Sequence, residues 1–94
     1  MKSNLGLSEE QLEKIKECSS TFLEIWEIAV CIGVSQQQLT QAIKDKTHQA
    51  HQYFYQGRLP EKVKHINNLK ELADRGSSPA QAMIDKYIQK SEPQ

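Results

Sequence analysis

The sequence predicts an all-α fold, on three observations. No stretch alternates apolar and polar residues for long enough to make a half-buried strand. Apolar residues recur instead at spacings of three and four, and helix start and stop signals punctuate them along the whole chain. Five helices are expected in one domain over 7–90, with flexible ends at 1–6 and 91–94.

The first helix is announced by "SEEQ". Ser8 is its N-cap and Gln11, three residues on, completes a capping box, while Glu9 and Glu10 suit the positive end of the helix dipole. Leu12, Ile15 and Cys18 make its inner face. A second start is read at "TFLE", with Thr21 as cap and Glu24 closing the box; Phe22, Ile25, Trp26, Ile28, Ala29 and Ile32 give it a broad apolar surface and a central place.

Gly33 stops that helix by supplying a left-handed residue, and Ser35 caps a third. Leu39, Ala42, Ile43, Ala50, Tyr53 and Phe54 keep helical spacing, so the third helix is expected to run to Gly57, with Lys46 snorkelling from the apolar side. "GRLP" reads as a break, with Pro60 in the first turn of a fourth helix that carries Val63, Ile66, Leu69, Leu72 and Ala73. Gly76 ends it. In "SSPAQ", Ser78 caps the fifth helix, Pro79 takes its first position and Gln81 completes the box; Ala80, Met83, Ile84, Tyr87 and Ile88 turn inward. The short link favours an antiparallel hairpin over 60–89.

Composition narrows the class. Ninety-four residues, 37% apolar and 26% charged, describe a globular chain with one modest core. No apolar run approaches a membrane span and the first residues lack a signal-peptide pattern, so a cytoplasmic protein without membrane contact is expected. Cys18 and Cys31 read as reduced thiols on apolar helix faces. The formal net charge is zero, yet Met1 to Val34 carries six glutamates against three lysines. Ser35 to Arg75 carries seven cations against four acids, which permits a mildly basic face.

The polar side of the third helix is its most informative surface. At about 100° per residue, Gln37, Gln41, Lys44 and His48 fall opposite Leu39, Ala42, Ile43 and Ala50, with Thr40 and His51 flanking them. Glutamine can bond adenine, threonine a base edge or thymine methyl, and lysine guanine or phosphate. Ser35 and Gln36 sit at the positive dipole end, where a phosphate docks. A solvated helix face has the same composition, so the row carries weight only together with the turn before it.

That turn, in "EIAVCIGVSQQQLTQAIKD", resembles the helix-turn-helix DNA-binding motif. Ala29 stands where two helices cross, Gly33 lies four positions later in the turn, and Ile28, Ile32, Val34, Leu39 and Ala42 match its apolar positions. With "AHQYFYQGRL" and "LADRGSSPAQAMIDKYI" following, the chain looks like the small terminase subunits of phages and prophages, over most of Leu23 to Ile88. The resemblance implies a helix-turn-helix unit over about 21–57 followed by the hairpin. It also implies packaging-site recognition on double-stranded DNA, a homo-oligomer and a large terminase subunit as partner. Ser35, Gln36, Gln37, Thr40, Gln41, Lys44 and His48 are then the DNA-binding set. A prophage transcription regulator, or a helical interaction module whose corner imitates the motif, is the alternative.

Catalytic chemistry is not expected. The glycines are isolated, so no phosphate loop forms; the serines read as caps and loops; His48 and His51 read as solvated side chains without a third ligand. No metal or cofactor is expected. Tyr53 and Phe54 are assigned to the core, and Tyr55 to the edge of the polar row.

Overall fold

The computed structural model describes Leu5 to Ser91; residues 1–4 and 92–94, most of the expected flexible ends, lie outside the described residues. Five helices follow in order: α1 (Glu9–Ser20), α2 (Ile25–Ile32), α3 (Gln36–Lys44), α4 (Gln49–Asp74) and α5 (Ser78–Ser91). None of them is long and apolar enough to cross a membrane. The chain divides into two compact units, Met1–Glu61 and Lys62–Gln94, with the boundary inside α4.

In the first unit α1 starts as expected: Ser8 Oγ accepts the Gln11 amide at 3.1 Å, and Gln11 Oε1 accepts the Ser8 amide at 2.9 Å. Gln11 also reaches out of its own helix, its Nε2 donating to the Ile32 carbonyl at the end of α2. The core gathers Leu12, Ile15 and Cys18 from α1, Ile28 and Ala29 from α2, Leu39, Ala42 and Ile43 from α3, and Ala50 and Phe54 from α4. Leu5, assigned to a flexible end by sequence, is half-buried against this core, as is Leu7.

The second helix begins three residues later than "TFLE" suggests, its cap at Glu24 instead of Thr21. Thr21 and Phe22 belong to the closing turn of α1: the Phe22 amide donates to Ser19 O at 3.1 Å and the Leu23 amide to Cys18 O at 3.2 Å. This closure needs a left-handed residue, and Phe22 supplies it at φ 61° in place of the usual glycine. Glu24 therefore becomes the N-cap residue of α2, and the Glu27 carboxylate accepts its amide at 2.9 Å. Nor is α2 central. Its inner side buries Ile28 and Ala29, while Phe22, Trp26, Val30 and Cys31 are exposed, so Cys31 is not an inner-face thiol.

The third helix is short, and His48 is not on it. Asp45 stops α3 by accepting the Thr47 amide at 3.0 Å and the Thr47 hydroxyl at 2.7 Å, a turn made by side chains without glycine or proline. Lys46 falls in this turn and is exposed, so it has no apolar face to snorkel from.

A single helix replaces the expected break at "GRLP". Gly57 is buried within α4, and a Cβ there would lie 2.1 Å from the Lys16 carbonyl oxygen and 2.2 Å from Ser19 Oγ. Gly57 is thus a point of close helix approach, where α4 lies on α1, and not a helix breaker. Ser19 is fully buried in that contact, its hydroxyl donating to Phe54 O at 2.7 Å. Arg58 locks the same seam: Nε donates to Ser19 O at 3.2 Å, Nη2 donates to Leu23 O, and the guanidinium lies 4.6 Å from the Phe54 ring centroid. Pro60 sits inside α4 and withholds one helical hydrogen bond where the two units meet in sequence.

The second unit is the far part of α4 and the whole of α5. Gly76, at φ 97°, ends α4 in a left-handed closure, with the Ser77 amide donating to Leu72 O at 3.1 Å. The cap of α5 is Ser77 and not Ser78, since Ser77 Oγ accepts the Ala80 amide at 3.3 Å. The two arms run antiparallel: the His65 and Tyr87 rings meet edge to face at 6.5 Å and Lys62 Nζ lies 5.5 Å from the Tyr87 ring. Of the five residues expected to turn inward on α5, Ala80 and Ile84 are buried, Tyr87 is half-buried, and Met83 and Ile88 are exposed.

Candidate nucleic-acid interface

The corner between α2 and α3 is built by backbone geometry. Gly33 sits at φ 75°, and its amide and that of Val34 both return to Ala29 O, at 2.9 and 3.1 Å. An L side chain disfavours that backbone. The chain turns through Val34, half-buried on the core, and restarts at Ser35, whose Oγ accepts the Gln38 amide at 3.1 Å. The Gln36 and Gln37 amides lie in the same first turn, at the positive end of the helix dipole.

Along α3 the sides separate cleanly. Leu39, Ala42 and Ile43 are buried, whereas Gln36, Gln37, Gln41 and Lys44 are exposed. Thr40 is half-buried, and its hydroxyl donates to Gln36 O at 2.8 Å. Ser35, Gln36, Gln37, Thr40, Gln41 and Lys44 therefore form one patch around the start and outer side of a helix.

His48 does not join that patch. It stands just before α4, where Nδ1 accepts the Ala50 amide at 2.9 Å; Nε2 then carries the proton and faces Leu5 O at 2.7 Å. Its ring caps a helix and ties down the segment leading into α1. His51 Nδ1 lies 2.7 Å from Ile43 O, and its ring is 4.7 Å from that of Tyr55. Both histidines are half-buried and engaged with backbone, which corrects the expectation that they are solvated. Tyr55 sits on α4, exposed, its ring edge-on to Phe54 at 5.1 Å.

Electrostatics around the corner are uneven. Lys44 and Lys46 are exposed close to the end of α3. Arg58 is spent on the α1–α4 seam, where burial draws its pKa below the usual arginine value. Glu24 is the N-cap of α2 and Glu27 lies in its first turn, so they stand about 13 and 9 Å along the axis from the turn at Gly33. Three residues that the sequence reads as a cap or loop (Ser19) or as part of a break (Gly57 and Arg58) are structural: they hold α4 on α1, and nothing in their spacing marks that role. Comparison of the chain with known protein families, characterised proteins and solved structures finds no match.

Proposed function

We propose that α2 and α3 form a helix-turn-helix unit that binds duplex DNA without catalysis. The observation that carries this reading is the row Gln37, Gln41 and Lys44, exposed over the buried set Leu39, Ala42 and Ile43 on a helix entered from a left-handed glycine. In the major groove, Gln37, Gln41 and Lys44 reach base edges and the Thr40 methyl meets an apolar base edge. Ser35 and Gln36 present the helix start to a phosphate. His48 is omitted, because both ring nitrogens already have partners. The acids of α2 support the reading by standing at the end of that helix away from the turn. Small-terminase-like recognition of phage or prophage DNA, in a homo-oligomer that serves a large terminase subunit, is the specific form of the proposal; transcription regulation would use the same face.

The test is an amide NMR titration of the full chain with a mixed-sequence duplex at low and moderate salt. Shifts should cluster at Ser35 to Lys44 and weaken with salt. Gln41→Ala with Lys44→Ala should weaken binding, so that more duplex is needed for the same shifts, while leaving stability within about 0.5 kcal/mol, as expected for exposed positions. Unmoved amides at low salt in the folded protein overturn the proposal.

A further inference from the structure

We propose that the outward face of α2 docks on the open end of the C-terminal hairpin of a second copy of this chain. This inference does not rest on DNA binding. It begins with the sequence of α2, IWEIAVCI, in which Glu27 is the one charged residue. A helix that is apolar around its whole circumference is normally covered on all sides. Here one side is covered. Trp26 and Val30, four residues apart on the other, are 50% and 74% exposed.

Phe22 extends this surface at the corner before α2, 49% exposed and held in left-handed backbone where glycine would be unstrained. A large aromatic kept in that conformation, and half in solvent, is poorly explained by its contact with Arg58 at 5.5 Å alone. Tryptophan and phenylalanine are residues that protein interfaces enrich. The charges next to them are the acids Glu24 and Glu27, and from Glu9 to Ile32 six glutamates face two lysines.

The same chain carries the complement. Lys62 and His65 touch Tyr87, so Val63 and Ile88 lie at one end of the hairpin, 57% and 53% exposed. Lys62, Lys86 and Lys90 lie at or next to that end, with Glu61 and Asp85 as the acids beside them in sequence. Pairing two α2 faces, or two hairpin ends, sets like charges against each other; pairing one with the other joins apolar surface inside opposite charge. The contact joins unlike faces, so a single junction is enough to hold two copies together.

The experiment is sedimentation velocity of the full chain over a concentration series, with emission from Trp26, the single tryptophan, read on the same samples. Mass should rise with concentration and emission should shift to the blue together with it. Val30→Asn and Val63→Asn, both at exposed positions, should each weaken association by about tenfold or more. Mixed one to one they should recover a dimer, because each copy keeps the face that the other lacks. Trp26→Ala is a second α2 variant, read by mass alone, should Val30→Asn fail to fold. A wild-type chain that stays monomeric with constant emission overturns the proposal. So does association unaffected by both folded α2 variants, the result for hairpins that pair with each other, and so does a mixture that stays monomeric.

Discussion

Replacing Gly57 by alanine tests the packing of the first unit most directly, because propensity and structure demand opposite signs. In an isolated helix the change is favourable by about 1 kcal/mol. In this fold the new Cβ meets the Lys16 carbonyl oxygen at 2.1 Å and Ser19 Oγ at 2.2 Å, and the first of these is backbone, which cannot rotate away. The helices α1 and α4 must separate by about 1 Å, an overpacking whose cost is about 1–3 kcal/mol. Ser19 is fully buried and bonded to Phe54 O at 2.7 Å, so stretching that bond adds about 1–2 kcal/mol. Subtracting the propensity gain leaves a net destabilisation of about 1–4 kcal/mol. For a unit of this size that lowers the melting temperature by roughly 5–25 °C. Thermal melts followed by circular dichroism at 222 nm measure it directly. A Gly57→Ala protein as stable as the wild type, or more so, refutes the close approach of α4 to α1.

Three further outcomes are expected. At position 22, Phe22→Gly should be more stable than Phe22→Ala by about 1 kcal/mol in urea unfolding, because both lose the ring but only glycine is relaxed at φ 61°; equal stabilities would remove the strained corner. An aromatic disulfide reagent at pH 8 should modify the exposed Cys31 quickly and Cys18 only on unfolding, since burial, then the nearby Cys31, pushes the Cys18 thiol up; two fast thiols would contradict this. The Tyr53 hydroxyl donates to Glu9 Oε1 at 2.9 Å, and this bond holds the phenol above its ordinary value of 10. Its stabilisation is complete below the unfolded pKa and is lost as pH rises through the folded one, so Tyr53→Phe should flatten the alkaline fall in melting temperature; identical slopes from pH 8 to 11 would sink the assignment.

What the sequence makes legible follows from which groups carry the signal. The start of α1 and the turn from α2 to α3 are written in residues with strong local preferences, a serine-glutamine box and a Gly-Val-Ser corner, and both form as read. The inner sides of α1 and α3 follow from helical spacing alone. The end of α1 was hidden because Phe22, not glycine, takes the left-handed position. The end of α3 was hidden because Asp45, Thr47 and His48 make the turn through side-chain hydrogen bonds that periodicity does not register. That error carried His48 onto the wrong helix and into the candidate DNA-binding set. Gly57 and Pro60 misled in the opposite way. Together they look like punctuation, but one is there for contact with α1 and the other is carried within a helix held by its neighbours.

The two proposals meet in the salt dependence of DNA binding, and that measurement separates them. Beside the α3 row the exposed cations are Lys44 and Lys46, so one copy that neutralises two phosphates gives a slope of log affinity against log salt near −2. Such a copy binds weakly, and two or more copies joined through α2 and the hairpin would gain affinity by holding several corners on one duplex. Val30→Asn removes the joining and leaves α3 untouched, so its affinity should fall while the slope returns to the value for one copy. Gln41→Ala with Lys44→Ala should do the reverse: assembly persists, affinity falls, and the slope loses about one unit per copy. If Val30→Asn dissociates the protein yet leaves DNA affinity and slope unchanged, DNA is bound by single copies and the apolar face of α2 serves assembly alone. If the double substitution changes neither, the contact with DNA is not on α3, whatever the state of assembly.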